Sequence, residues 1–326
     1  MRIEQPRTEL GRFPTPLHRL PRLERKLNSS SFYIKRDDLS GFGLAGNKTR
    51  ALEFLVQDAI NQGAKLLLSG GAPSSNFAGA LALAARSLGL ACELHIAGAP
   101  GYADTVPLQI ARRSGADIRF SERDRGALDM VIQERGRQLE REGRAPYVMP
   151  RGGATAVGSL GFAQAAYELR AQLDDTSINE KELSVVIPTG SGASLAGFLA
   201  GSAAINARWK IVGVSVSRPI DVMRKEILDL ARHCAGLIGA VAPLETSFTL
   251  VDFSSSHDSA LDLQDRESAL LALHSEGLLF DQLYGVKSFR TACEIAERSE
   301  GAPVLLWHTG GIPGALKLLG STGWSP

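Results

Sequence analysis

Short apolar runs alternate with helix-length patterns along most of this chain, and that alternation limits the fold more than any other feature. "FYIKRD" (32–37), "AKLLLSGG" (64–71), "ACELHIAG" (91–98), "LSVVIPTG" (183–190), "KIVGVSVS" (210–217) and "APVLLWHTGG" (302–311) read as strands, most of them ending in Gly, Ser or Thr. Helical spacing of apolar residues follows at 75–88, 106–114, 123–142, 192–206 and 285–298. Strands and helices in succession predict an α/β fold of parallel sheets covered by helices. Ligands in such sheets bind beyond the carboxyl ends of the strands, so the strand-to-helix turns are the places to search.

The chain has 326 residues, 44% apolar and 22% charged, which suits two lobes with their own cores. A formal charge of +1 supplies no field that would steer it onto nucleic acid or an anionic membrane. No segment reaches the roughly 18 uninterrupted apolar residues of a membrane span, and nothing in the first thirty residues resembles a signal peptide. A cytoplasmic setting is expected. Cys92, Cys234 and Cys293 are far apart and odd in number, which reads as reduced thiols, and the six histidines show no paired metal spacing. No metal-dependent catalysis is expected. A Gly-rich stretch at 143–160, with Pro146 and Pro150, reads as a crossing between lobes, and 252–266 as a polar rim loop.

Four features stand at turns. In "GLAGNKTRALEFLVQDA" (43–59), Lys48 opens an amphipathic helix, where the positive end of the helix dipole disfavours an ammonium. "PTGSGASLAG" sets Thr189, Gly190, Ser191, Gly192, Ala193 and Ser194 between an apolar strand and a helix. Glycines there let several N–H groups converge on an anion, which suits a phosphate; a tight turn without ligand uses the same residues. The turn lacks the P-loop lysine and the dinucleotide fingerprint. In "GGAPSSNF", Ser74 or Ser75 can cap a helix with Asn76 in its first turn, and the same groups could hold a carboxylate. "HTGGIPGAL" places Thr309 at a strand end beside paired glycines, and Tyr284 follows an apolar run, a position that also suits simple packing.

Taken in order, these parts resemble the 1-aminocyclopropane-1-carboxylate deaminase and D-cysteine desulfhydrase family of pyridoxal phosphate enzymes. The resemblance runs over nearly the whole chain, through "FPTPLHRLPRLE", "YIKRDDLSGFGLAGNKTRALEFL", "SGGAPSSNFAGALALAARSLGLACELHIAG", "PRGGATAVGSLGF", "PTGSGASLAG", "EGLLFDQLYGVKSF" and "LLWHTGGIPGAL". It implies a two-domain tryptophan synthase β-like fold (fold type II), with a larger cofactor domain from 1–45 and 155–326. A smaller domain, 46–154, would carry Lys48 and the Ser75–Asn76 turn. By the same resemblance Lys48 forms the internal Schiff base with pyridoxal 5'-phosphate, and Gly190, Ser191, Gly192, Ala193 and Ser194 hold its phosphate. Asn76 lies near the ring hydroxyl and Thr309 faces the pyridine nitrogen. Ser75, Asn76, Phe77 and Tyr284 meet the substrate, with Lys48, Ser75 and Tyr284 catalytic.

The implied activity is β-elimination from a small amino acid, as in D-cysteine desulfhydrase, giving a keto acid and ammonia in a homodimer. A deaminase, dehydratase or β-replacement enzyme on another substituted amino acid, or a cofactor-binding protein without turnover, are the alternatives. Three departures from the family bear on the choice. Phe77 stands where the desulfhydrases carry His and the deaminases Gln; Gly285 stands where the deaminases carry a glutamate; and "DFSSSHDSALD" replaces a loop with a second active-site tyrosine, His257 lying loosely in its place.

Overall fold

Alternating strands and helices pair into two separate sheets in a computed structural model, which describes residues 3–28, 31–100, 104–122, 126–176, 178–256, 262–299 and 301–320. In chain order the elements begin β1 (Leu17–Arg19), α1 (Pro21–Leu27), β2 (Phe32–Arg36), α2 (Lys48–Asn61), β3 (Leu66–Gly71), α3 (Asn76–Ser87), β4 (Ala91–Ala97), α4 (Val106–Arg113) and β5 (Asp117–Ser121). They continue through α5 (Leu128–Arg141), β6 (Pro146–Val148), α6 (Ala156–Asp174), β7 (Ser184–Thr189), α7 (Ala193–Ala204), β8 (Lys210–Ser215) and α8 (Ile220–Leu237). The last are β9 (Phe248–Asp252), α9 (Leu263–Glu276), α10 (Gly285–Arg298), β10 (Val304–His308) and α11 (Ile312–Leu319).

One sheet has six strands in the order β1-β2-β10-β7-β8-β9, all parallel except the β1 edge. The other has four parallel strands in the order β5-β4-β3-β6. Neighbouring strands out of chain order require the helical crossovers that the apolar pattern predicts. β7 and β10 are buried along their whole length, as strands covered on both faces must be.

Two helix crossings bring backbone against backbone. A Cβ on Gly161 of α6 would overlap the Arg50 carbonyl of α2 and lie 2.7 Å from the Ala51 nitrogen. Gly197 and Gly201 of α7 likewise leave no room for a side chain against the α6 carbonyls of Ser159 and Ala163. Small residues are what allow these helices to touch. Above them Phe162, Phe198, Trp209 and Trp307 form the aromatic centre of the core, with ring centroids 5.3 to 5.4 Å apart.

The other face of α2 belongs to a different apolar cluster. Leu52, Leu55, Val56 and Ala59 pack with Leu67 and Leu94 of the four-stranded sheet and with Phe77 and Leu81 of α3. Each such buried leucine contributes about 1.5–3 kcal/mol relative to an exposed one. Helix α2 is therefore a wall shared by both sheets, and Lys48 is its first residue. Among the described residues no helix is long and apolar enough to cross a membrane. Cys92, Cys234 and Cys293 are free and buried. The rim-loop residue His257 lies outside the described residues.

Candidate active site

Three adjacent strands of the larger sheet end at the same place. Beyond β2 the chain makes a one-turn helix at Asp37–Leu39 and loops to Lys48; beyond β7 lie Gly190 to Ser194; beyond β10 lie Thr309, Gly310 and Gly311. Strand order alone brings these carboxyl ends together.

Side chains and backbone then lock the three turns. The N–H of Asn47 donates to the Thr309 carbonyl at 2.9 Å. Gly46 has φ +56°, and a Cβ there would overlap the Thr309 carbonyl and come 2.9 Å from the Gly310 Cα. Only glycine allows so close an approach in that conformation. The Asn47 side-chain amide donates to the Ser194 hydroxyl at 3.1 Å, tying the lysine turn to the Gly/Ser turn. Nothing local marks Gly46 or Asn47 in the sequence, because their partners lie far along the chain.

The Lys48 side chain keeps some surface, yet its amine is packed round by protein. It makes no ion pair or hydrogen bond among the described residues. Loss of hydration pushes its pKa down to about 8, which favours the neutral, nucleophilic amine.

The Gly/Ser turn opens α7. Gly192 caps the helix with φ +87°, and the hydroxyl of Ser217 donates to the Gly190 carbonyl at 2.6 Å, holding the loop. The first amides of α7 have no partner within the helix, and the helix start adds positive potential. Tyr284 closes over this turn: a Cβ on Gly190 would lie 2.8 Å from its Cε1 and 2.9 Å from its Oη. Tyr284 is itself set by Asp281, whose carboxylate accepts the N–H groups of Leu283, Tyr284 and Gly285 at 2.8 to 3.1 Å. Burial pushes that carboxyl above its usual range against the pull of the three donors. Asp281 thus ties down the turn that leads into α10, and an Asp bonding backbone N–H groups two to four residues on is a local device legible in the sequence.

His308 holds the third turn. Its Nδ1 accepts from the Gly310 N–H at 3.3 Å, and its ring packs on Phe280 with centroids 4.5 Å apart. Burial lowers its pKa to about 4, so the ring is neutral at pH 7.

The smaller sheet faces this assembly. Beyond β3, Ser75 caps α3, its hydroxyl accepting the Ala78 N–H at 3.2 Å, so the capping role read from the sequence is present. Asn76 and Ala45 line the same small cleft, of about 20 Å³, with Leu44, Leu83, Pro107 and Pro313. Asn76 is thereby beside the lysine loop. Beyond β6, Gly152 approaches Ser191 of the cradle: a Cβ there would lie 3.0 Å from its hydroxyl oxygen.

Phe77, expected at the substrate, has a ring only 1% exposed in the apolar cluster under the small sheet. It abuts Gly153, where a Cβ would come within 2.7 Å of the Phe77 ring and of Leu55. A roomier cavity, about 360 Å³, opens at the opposite, amino ends of β7 and β8, between Ser184, Lys210, Thr291 and Arg298. It is remote from the convergent turns.

The residues present fit a phosphate-bearing aldehyde cofactor. A lysine amine of lowered pKa without a partner, a glycine turn at a helix start, and the hydroxyls of Ser191 and Thr309 with no protein partner among the described residues all belong to the convergent turns. Such a set of parts suits an α/β enzyme that uses a phosphate-bearing cofactor.

The family model for pyridoxal-phosphate dependent enzymes matches residues 8–310. The chain is 34% identical over 311 residues to a Pyrococcus abyssi protein provisionally named 1-aminocyclopropane-1-carboxylate deaminase, covering 95% of this chain and 92% of the relative. It is 32% identical over 315 residues to a Salmonella newport D-cysteine desulfhydrase, covering 94% of each. The solved structure of an ACC deaminase homologue superposes with a TM-score of 0.87 at 33% identity, covering 97% of this chain and 96% of that one. A Rhizomucor miehei L-serine ammonia-lyase shares the fold, with a TM-score of 0.67 at 18% identity over 96% of this chain and 98% of that one. The chain belongs to the pyridoxal-phosphate dependent enzyme family, and within it to the group of 1-aminocyclopropane-1-carboxylate deaminases and D-cysteine desulfhydrases.

Proposed function

We propose that this chain is a lyase that eliminates a Cβ leaving group from a small amino acid, D-cysteine desulfhydrase-like, releasing a keto acid and ammonia. One observation carries the reading: the partnerless, desolvated Lys48 amine opens a helix whose first turn is tied both to the Thr309 turn and to the Ser194 end of the glycine cradle. Pyridoxal phosphate, when bound, supplies the electron sink for charge developing at the amino acid's Cα.

The chain's own groups would divide the remaining work. Gly190, Ser191, Gly192, Ala193 and Ser194 would hold the phosphate through backbone N–H groups and hydroxyls. Thr309 would offer a neutral hydroxyl to the ring nitrogen, and Asn76 an amide to the ring hydroxyl. Lys48 would carry the cofactor and, once released, take the Cα proton, since an amine with a pKa of about 8 is a usable base near neutrality. Ser75 and Asn76, at the start of α3, would receive the substrate carboxylate. Tyr284, lying on Gly190, would orient the substrate or protonate the leaving group. A homodimer of the cytoplasm with domains 1–45 plus 155–326 and 46–154 belongs to the same reading.

Elimination is favoured over cyclopropane ring opening by the surroundings of Gly285. A Cβ there would lie 2.9 Å from Phe280 and 3.2 Å from an Asp281 carboxylate oxygen, so the glutamate of the deaminases has no room. The test is a preparation that is yellow, loses its colour with borohydride, and stays colourless as Lys48→Ala. D- and L-amino acids with Cβ leaving groups, D-cysteine among them, are then screened for keto acid and ammonia. Release of neither from any of them, with an unchanged cofactor spectrum, would overturn the proposal.

A further inference from the structure

Four charged side chains lie buried together around Arg50, two residues beyond Lys48. Arg50 is 2% exposed, Lys35 and Asp37 are fully buried, and Glu168 is 9% exposed. Arg50 donates Nε and Nη2 to the two oxygens of Asp37 at 2.7 and 2.8 Å, and Nη1 and Nη2 to the two oxygens of Glu168 at 2.8 and 2.9 Å. Lys35 pairs with Glu168 and donates to the Thr15 carbonyl at 2.6 Å. The Thr15 hydroxyl donates to Asp37 at 2.9 Å and accepts from Arg50 at 3.2 Å. Phe13 lies 4.3 Å from the guanidinium carbon. Two positive and two negative groups balance.

A buried set of this kind is weak evidence for stability, because desolvation offsets most of the attraction and apolar residues of the same volume serve as well. What it does supply is direction. The guanidinium is planar, and its two acceptors stand on different elements, Asp37 just beyond β2 and Glu168 on α6, so the fork defines both the place and the tilt of Arg50.

Arg50 is two residues after Lys48 on α2, which at 3.6 residues per turn puts the two side chains roughly 200° apart around the helix. Whatever holds Arg50 against the large sheet therefore aims Lys48 to the other side. Gly161, pressed on the Arg50 carbonyl, removes the freedom of α2 to slide.

We propose that Arg50, through its fork to Asp37 and Glu168, is a positioning residue that sets the rotation of α2 and so aims the Lys48 amine at the cofactor. The inference rests on Lys48 being the cofactor-carrying lysine. Arg50→Lys keeps the charge and loses the fork. The double variant Lys35→Met with Glu168→Gln removes one charge of each sign and halves the fork.

Each purified protein is saturated with pyridoxal phosphate, and folding is checked by circular dichroism. The chain is then treated with borohydride, and the modified lysine is mapped and quantified by mass spectrometry beside kcat and KM. The expected result is a folded Arg50→Lys that still binds pyridoxal phosphate, with the cofactor fixed on Lys48 at least tenfold less and kcat down on the order of 10²-fold at nearly unchanged KM, as for an angstrom-scale misplacement. The double variant should fall between it and the parent.

Parent protein modified at another lysine would reject the reading of Lys48 itself. Parent modified at Lys48 while a folded variant is modified there equally, with equal kcat, would reject the role of Arg50 alone. If neither variant folds, the quartet is a folding device and the positioning role is rejected.

Discussion

The backbone N–H of Asn47 donates to the carbonyl of Thr309 across 262 positions of sequence, at 2.9 Å. That bond joins the turn bearing the amine to the turn proposed to face the ring nitrogen. The two are held as one piece of backbone, with Gly46 leaving no gap between them.

Lys48 costs the fold stability. Its pKa falls from 10.5 unfolded to about 8 folded because burial penalises the ammonium. Below pH 8 both states hold the proton and the full cost stands; between about 8 and 10.5 the unfolded chain binds more protons, so stability rises with pH. Lys48→Met should therefore stabilise the cofactor-free protein at pH 7 by roughly 1–3 kcal/mol, with the gain disappearing above pH 10.5. Urea melts at pH 7 and pH 11 measure the difference. The same variant should lose all borohydride-dependent labelling.

His308 should impose a slope of the same sign and origin in a more acidic window. Burial lowers its pKa from 6.5 to about 4. The unfolded chain takes up the proton first as pH falls, so the stability held above pH 6.5 is progressively lost down to about pH 4, by roughly 2–3 kcal/mol. His308→Gln should flatten that part of the stability curve, which is read from denaturation midpoints between pH 4 and 7.

Gly190→Ala should displace Tyr284, because the new methyl would lie 2.8 to 3.2 Å from three atoms of the phenol ring. Turnover is expected to fall on the order of 10²-fold, as for other angstrom-scale misplacements. Steady-state kinetics beside Tyr284→Phe separates displacement of the ring from loss of its hydroxyl.

Phe77→His introduces a ring nitrogen into a nearly sealed apolar cluster, where an unmatched polar group costs about 1–3 kcal/mol. The variant should melt several degrees lower. Gly153→Ala, at φ +65° and 2.7 Å from the same ring, should do likewise. If Phe77→His changes turnover of D-cysteine, the effect passes through the Gly152–Gly153 turn onto Ser191. Thermal melts and D-cysteine kinetics on the two variants test that route together.

Much of the architecture was legible because it rests on local pattern. The helix expected at 285–298 is Gly285–Arg298, and the strands expected at 91–98 and 183–190 are Ala91–Ala97 and Ser184–Thr189. Helix α6 was not legible. Its first turn falls inside the Gly-rich stretch at 143–160 that reads as a crossing, and the helix is buried on several sides by α2, α7 and α8, which erases the amphipathic period. The reason for Gly161 lies in Arg50, more than a hundred residues earlier.

The same distance hid much of the site. Lys48, the Gly/Ser turn and Thr309 are marked by their own neighbours, whereas the Asn47 to Ser194 bond and the Arg50 quartet exist only between elements remote in sequence. Phe77 misled in the other direction. The family resemblance implied a place beside substrate, but successive helix residues point about 100° apart, and Phe77, the second residue of α3, turns into the core.

The bare contact of Gly161 with the Arg50 carbonyl has a mechanical consequence. Interlocked backbones have no side-chain cushion to shear, so α2 and α6 are braced against each other like the members of a single beam. The opposite flank of α2, surfaced by Leu52, Leu55, Val56 and Ala59, meets the four-stranded layer through interleaved side chains instead, so the helix is gripped by backbone on one side and by apolar packing on the other.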